Sequence, residues 1–100
     1  MKKHIVFKTK LWLWPGESAN WHFVSLPKDV SRGLREVYKG MHRGWNSLPV
    51  EVRVGKIVWS TSMFFDSKSQ QYILPIKAKV RQQECIYVGD DVKITLKIKS

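Results

Sequence analysis

Residues 92–99 have the sequence VKITLKIK, in which aliphatic side chains alternate with lysine and threonine. Successive side chains of a strand point to opposite faces of a sheet, so this alternation predicts a strand with an apolar inner face and a basic outer face. The dipeptide Gly89-Asp90 precedes it and predicts the turn that leads into the strand. The C-terminal part of the chain therefore predicts a half-buried β-strand.

Five earlier segments show the same two-residue period. Pro15-Gly16 and Gly55-Lys56 are turn dipeptides that divide four of them into two hairpins. Pro75 lies inside the fifth, which predicts a sheet edge or a bulge there because proline has no N–H to pair. The segments are residues 4–14, 20–26, 50–54, 57–62 and 71–81.

Residues 28–39 have a helical period instead. Their apolar side chains recur three or four positions apart, and Asp29 in the first turn suits the positive end of a helix. Residues 41–48 predict a loop. The chain is therefore expected to be one domain, residues 1–100, that is mainly β: a small closed or partly closed barrel of about six strands with one short α-helix.

The composition narrows the class of protein. The chain has 100 residues and a formal net charge of +10, from 18 Lys and Arg against 8 Asp and Glu. This length excludes a multidomain enzyme, and the single cysteine, Cys85, excludes a disulfide scaffold. Lys8 and Lys10 interrupt the N-terminal apolar stretch, which argues against a signal peptide, and no apolar run approaches the length of a membrane span. A cytoplasmic location without a membrane partner is expected.

Residues 42–47 concentrate polar and aromatic side chains in the predicted loop. Arg43 can bind a carboxylate or phosphate through two parallel hydrogen bonds, and Trp45 can stack on a ring. The alternative is structural, with Trp45 closing one end of the barrel and Arg43 bonding loop carbonyls. The candidate ligand-binding residues are Arg43, Trp45, Asn46, Ser47 and Trp59.

The basic outer positions of the strands form a second candidate site, for nucleic acid. Trp12 and Trp14 are predicted on the same face as Lys8 and Lys10, a combination that suits single-stranded nucleic acid unless the two indoles lie beneath the helix. The alternative use of the lysines is solubility and the protection of strand edges. They form one face only if segments 4–14, 71–81 and 91–99 are neighbours. The candidate residues are Lys8, Lys10, Lys77, Lys79, Arg81, Lys93 and Lys97.

The sequence contains no recognisable catalytic or metal-binding motif. His4, His22 and His42 lack the spacing of metal ligands, and the hydroxyls of residues 60–62 lack the glycines of a nucleophile elbow. We predict no catalytic residue, metal or cofactor. The expected function is that of a non-enzymatic binding module whose ligand the sequence does not identify; a small anionic ligand and nucleic acid are the two partners that the basic charge suggests. A nucleic-acid-binding protein and a small enzyme with its site at the barrel mouth are the alternatives, and a monomer and a dimer are both compatible with the sequence.

Several short motifs spread over the chain resemble those of a known family. They are LW at 11–12, PG at 15–16, WHFVSLP at 21–27, RGWNSLPV at 43–50, WSTSMF at 59–64, YILPIKAKVR at 72–81 and GDDV at 89–92. Together they resemble the bacterial domain-of-unknown-function family numbered nineteen-oh-five. In this family a glycine is expected at the position of Asn46.

The resemblance carries an expectation about the fold. It implies a double-split β-barrel related to the AbrB transition-state regulators, whose members bind DNA as swapped dimers. Leu74-Pro75, Arg81, Gly89-Asp90 and Val92 are similar to the pattern of AbrB-type hairpins. A shared fold does not by itself imply a shared function, so DNA binding stays an expectation to be tested.

Overall fold

The computed structural model describes residues 4–15, 21–40 and 47–99, which form six β-strands and two α-helices. In chain order these are β1 (His4–Leu13), β2 (His22–Ser25), α1 (Lys28–Val37), β3 (Ser47–Val54), β4 (Ile57–Asp66), β5 (Gln71–Pro75), α2 (Ala78–Gln83) and β6 (Asp91–Ile98).

The strands form a closed antiparallel barrel in the order β1-β2-β5-β4-β3-β6. β6 closes it by pairing with β1 on one side and β3 on the other. The alternation that predicts β6 is observed, because Ile94 and Leu96 are fully buried while Lys93 is exposed. The predicted mainly β barrel of about six strands is therefore confirmed.

The β3–β4 hairpin turns at Gly55-Lys56, as the sequence predicts. Gly55 has φ of +58°, a conformation that glycine adopts without steric cost. β3 begins at Ser47 and β4 continues to Asp66, so both strands are longer than predicted. The expectation that residues 47 and 48 belong to a loop is wrong, because Ser47 pairs with Phe64 in the ladder.

Residues 71–81, which we expect from the sequence to form one strand, form a strand and a helix instead. β5 ends at Pro75, and α2 follows as Ala78–Gln83, so the chain has two helices where one is predicted. Ile76 and Val80 are buried, and a spacing of four residues fits one face of a helix as well as one face of a strand. Residues 78–83 have the sequence AKVRQQ, rich in helix formers, and this preference decides between the two.

α1 packs against the end of β4 and the start of β5, on the side of the sheet that carries the core. Of the apolar residues that recur at helical spacing in this segment, Leu34 is buried, whereas Val37 is 71% exposed. The guanidinium of Arg35 lies 3.9 Å from the centre of the Phe65 ring, which meets Tyr72 edge to face. Burial raises the pKa of Tyr72, and the neighbouring charge and hydrogen bond of Arg35 act against that rise.

Candidate functional site

β4 and β5 pair along only part of their length, and they separate where the candidate site lies. The register runs from Asp66 opposite Gln71 to Phe64 opposite Ile73, while β4 extends seven residues further towards its start at Ile57. In an antiparallel ladder every second pair of residues exchanges two hydrogen bonds, so the next such pair after Ile73 would include Pro75. Proline has no N–H to donate to it. The barrel wall is therefore split at this place.

A cleft of about 410 Å³ occupies this split, and we call it the split cleft. Trp59 faces the barrel interior because it stands opposite the buried Val52, and cross-strand partners share a face of the sheet. β2 and its preceding residue contribute one wall, β4 another, and α2 with the residue before it a third. The side chains that give the cleft its chemistry are Trp21, His22, Trp59, Ser60, Lys77 and Arg81.

Lys77 and Trp59 form a cation–aromatic pair in the cleft. The Lys77 ammonium nitrogen lies 5.9 Å from the centre of the Trp59 ring. Contacts at this distance are worth about 0.5–1 kcal/mol at exposed sites. Lys77 is exposed, so its charge is available to a ligand that also covers the indole ring.

Arg81 is fixed by two contacts with neighbouring elements. Its Nε donates to the carbonyl of Ile76 at 3.2 Å, and its Nη1 lies 3.3 Å from Nε2 of His22. A guanidinium has no acceptor, so Arg81 is the donor when this contact is a hydrogen bond. Because a guanidinium carries five N–H donors, several remain for an anion in the cleft.

The positive charge of the cleft is not neutralised within the described part of the chain. The ion pairs found among residues 4–15, 21–40 and 47–99 involve neither Lys77 nor Arg81. Glu84, at the end of α2, lies instead against Gly55 of the β3–β4 turn. The split cleft therefore combines two cationic side chains with two indole rings.

The structure brings only part of the predicted ligand site to this place. Trp59 lines the split cleft, but Ser47 stands opposite Phe64, five residues further along β4. Arg43, Trp45 and Asn46 lie outside the described residues. Lys77 and Arg81, predicted as part of a nucleic-acid surface, line the split cleft instead, and His22 joins them from β2.

The residues predicted to bind nucleic acid fall into two groups. β1 and β6 are neighbours, and Lys8 stands directly opposite Lys93 on their outer face. Lys77, Lys79 and Arg81 belong to the α2 region beyond β5, which β2 separates from β1, so the outward strand positions expected for them are wrong. Two ion pairs reduce the positive charge of the group on β1 and β6: Lys10–Asp91 at 3.2 Å and Lys97–Glu51 at 3.5 Å.

Trp12, in β1, and Trp14, just after this strand, lie on an aromatic surface rather than beneath the helix. Trp12 and Trp14 pack on Phe23, with ring centres 5.3 and 5.7 Å from it, and Trp21 also stacks on Phe23 at 6.2 Å. The Nε1 of Trp12 donates to the hydroxyl of Ser25 at 2.9 Å. Trp21 belongs to both this surface and the split cleft.

In the part of the chain that the structure describes, no three His, Cys, Asp or Glu side chains are grouped so that they could hold a metal ion. No helix formed by the described residues is long and apolar enough to cross a membrane.

Comparison with known proteins places the chain in a family. A search of curated proteins finds no match. The family model described as "Domain of unknown function (DUF1905)" matches residues 7–96, which covers all of the barrel except the outermost residues of β1 and β6. The chain belongs to this family.

Proposed function

We propose that this protein is a non-catalytic binding module whose ligand is an anion that also carries a planar or apolar group. The split cleft is the binding site. Lys77 and Arg81 bind the anionic group, and the indole rings of Trp59 and Trp21 cover the apolar part.

The observation that supports this proposal is the charge of the cleft beside its aromatic walls. Two cations line one cleft without an ion-pair partner in the described residues, and an anion bound there would be attracted by both charges. Arg81 is held in place by Ile76 and His22, so its remaining donors are oriented before the ligand arrives. Such preorganisation lowers the entropy that binding must overcome.

Calorimetric titration with a naphthalene carboxylate tests the proposal. The wild-type protein is expected to bind it, and naphthalene methanol, which lacks the charge, is expected to bind at least tenfold more weakly. Lys77→Gln should reduce the affinity for the carboxylate by about three- to tenfold, because it removes one exposed cation without disturbing the core.

Lys79→Gln is the matched control for this titration. Lys79 has the same charge and is also exposed on α2, but it does not line the cleft, so its removal should leave the affinity unchanged. Equal affinities for the carboxylate and the alcohol would contradict the proposal. Equal losses in the two lysine variants would contradict it as well.

A second candidate function, the binding of single-stranded nucleic acid, is favoured by the outer face of β1 and β6. Lys8 and Lys93 stand directly opposite each other there, and like charges in this position destabilise a sheet unless an anion lies between them. Trp12 and Trp14 continue the same face of β1 beyond Lys10, where bases can stack on the indole rings.

Fluorescence anisotropy of a labelled oligothymidylate at several salt concentrations tests this second function. The double variant Lys8→Gln/Lys93→Gln should make the slope of log affinity against log salt less steep by about 1.4, which corresponds to two phosphate contacts on a single strand. Lys56→Gln, in the β3–β4 turn, should leave the slope unchanged. If wild type shows no binding at low salt, the nucleic-acid function is excluded.

A further inference from the structure

We propose that the ligand of the split cleft is an extended peptide segment bearing a carboxylate, and that this segment adds to β4 as a further strand. The proposal rests on the proposed function and names the partner of that same site. An isolated small anion would use the cations and the indoles of the cleft. A peptide would also form hydrogen bonds with the backbone of β4. Whether the N–H and C=O groups of β4 are already hydrogen-bonded therefore distinguishes a peptide ligand from a small anion.

The backbone groups of β4 point alternately towards β3 and into the split. Tyr72 directs its C=O away from β4, because it accepts the N–H of Leu26 at 2.9 Å. Backbone groups alternate along a strand, so Ile73 directs its N–H and C=O to β4 and bonds with Phe64. The same alternation continued along β4 directs the N–H and C=O of Ser60 and Val58 into the split.

These groups have no partner in the part of the chain that the structure describes. β3 occupies the other side of β4 and uses the alternate residues, including Trp59 and Thr61. The register of β4 with β5, if continued, would place Lys77 opposite Ser60, but the chain has left the sheet at Pro75. Within residues 4–15, 21–40 and 47–99, neither Ser60 nor Val58 has a backbone hydrogen bond on this side. A short open sheet edge therefore lies along the split cleft.

An open edge is a template for an added strand, and main-chain hydrogen bonds supply the affinity in such complexes. The residues from Val58 to Ser62 span about 13 Å at about 3.3 Å per residue. A peptide of three to five residues would cover this edge and occupy the position that β5 leaves when it turns into α2.

The charge of the cleft indicates what the peptide must carry. Lys77 and Arg81 lie beside this edge, and Lys99 reaches β4 from the outer face, where its Nζ donates to the Ser60 hydroxyl at 3.1 Å. Carboxylates are the anionic groups of a polypeptide, so a C-terminal carboxylate or an acidic side chain complements these cations. Every second side chain of the added strand would face Trp59, which favours an apolar residue there.

Selection from a library of random heptapeptides with free C-termini, followed by synthesis of the tightest binder, tests the inference. The free acid is compared with its C-terminal amide and with a form in which each acidic side chain is replaced by its amide. At least one of these changes should weaken binding tenfold or more, and the one that does identifies the source of the carboxylate. N-methylation of the peptide amides that face β4 should weaken binding by a similar factor, since it removes main-chain donors.

Amide hydrogen exchange reports the added strand directly. With the free acid bound, the amides of Val58 and Ser60 should exchange at least tenfold more slowly. The Trp59 amide, already bonded within the β3–β4 ladder, serves as the internal control and should change little.

The inference is overturned if the naphthalene carboxylate binds while no peptide protects Val58 and Ser60, and the proposed function then stands alone. It is also overturned if N-methylation leaves the affinity unchanged, or if an oligonucleotide protects these two amides and no peptide does. Failure of both the naphthalene carboxylate and the peptides removes the proposed function together with the inference.

Discussion

Leu96→Ala is expected to lower the free energy of unfolding by about 2–5 kcal/mol. Leu96 is fully buried in β6, where it stands opposite Ile5 of β1 and Val52 of β3. β6 is the strand that closes the barrel, so its inward side chains contact both neighbours at once. Truncation removes apolar contacts and leaves a cavity that a closed sheet is poorly able to fill by moving its backbone.

Urea denaturation followed by circular dichroism measures this loss. In a domain of this size each kcal/mol also lowers the melting temperature by about 4–8 °C. Val6→Ala, on the outer face of β1 and 57% exposed, is the control and should cost less than about 1 kcal/mol. A loss below about 1 kcal/mol for Leu96→Ala would contradict the placement of this side chain in the barrel core.

The alternation that surrounds Leu96 explains why most of the barrel is predictable from the sequence. A two-residue period identifies β6, β1 and the β3–β4 hairpin, because one face of each strand is buried and the other is in water. The same period fails for the segment after Pro75. There the buried side chains of Ile76 and Val80 satisfy strand and helix spacing alike, and the pattern cannot separate the two.

The set of side chains that line the candidate site was harder to predict than the barrel, because it depends on where two neighbouring strands separate. Trp59 is identified as a candidate from the sequence, yet the partners expected for it in residues 43–47 are not those that line the cleft in the described structure. Lys77 and Arg81 come to Trp59 because β5 ends early and α2 turns back over the split. Pro75 is the one signal in the sequence for this event, and it marks the place but not the new direction of the chain.

The role of Ser31 likewise depends on a residue that is distant in the sequence. A serine in an amphipathic helix predicts nothing about its partners, and one of the two that the Ser31 hydroxyl has, the N–H of Tyr72, lies 41 residues away. β2 ends at Ser25, and the chain then turns into α1, so the ladder between β2 and β5 loses one acceptor. The Ser31 hydroxyl replaces it, since it accepts the N–H of Tyr72 at 3.1 Å and lies 3.4 Å from the carbonyl of Leu26.

Ser31→Ala is therefore expected to cost about 1–3 kcal/mol, far more than a serine hydroxyl on the surface. Ser31 is fully buried, and so is Tyr72, which means that no water is at hand to take over the N–H that the variant leaves without an acceptor. The loss is expected to come from this unpaired N–H rather than from the volume of one oxygen atom, because burying a polar group without a partner is the larger effect.

Urea denaturation measures the loss, and hydrogen exchange at the Tyr72 amide locates it. In the variant this amide should exchange faster than in wild type even under conditions in which the protein stays folded, because α1 no longer holds the ladder closed at that position. Ser67→Ala, an exposed serine in the turn after β4, should change the free energy of unfolding by no more than about 0.5 kcal/mol. If Ser31→Ala is equally mild and the Tyr72 amide stays protected, the hydroxyl is not the acceptor that completes the β2–β5 ladder, and α1 is held by its apolar contacts alone.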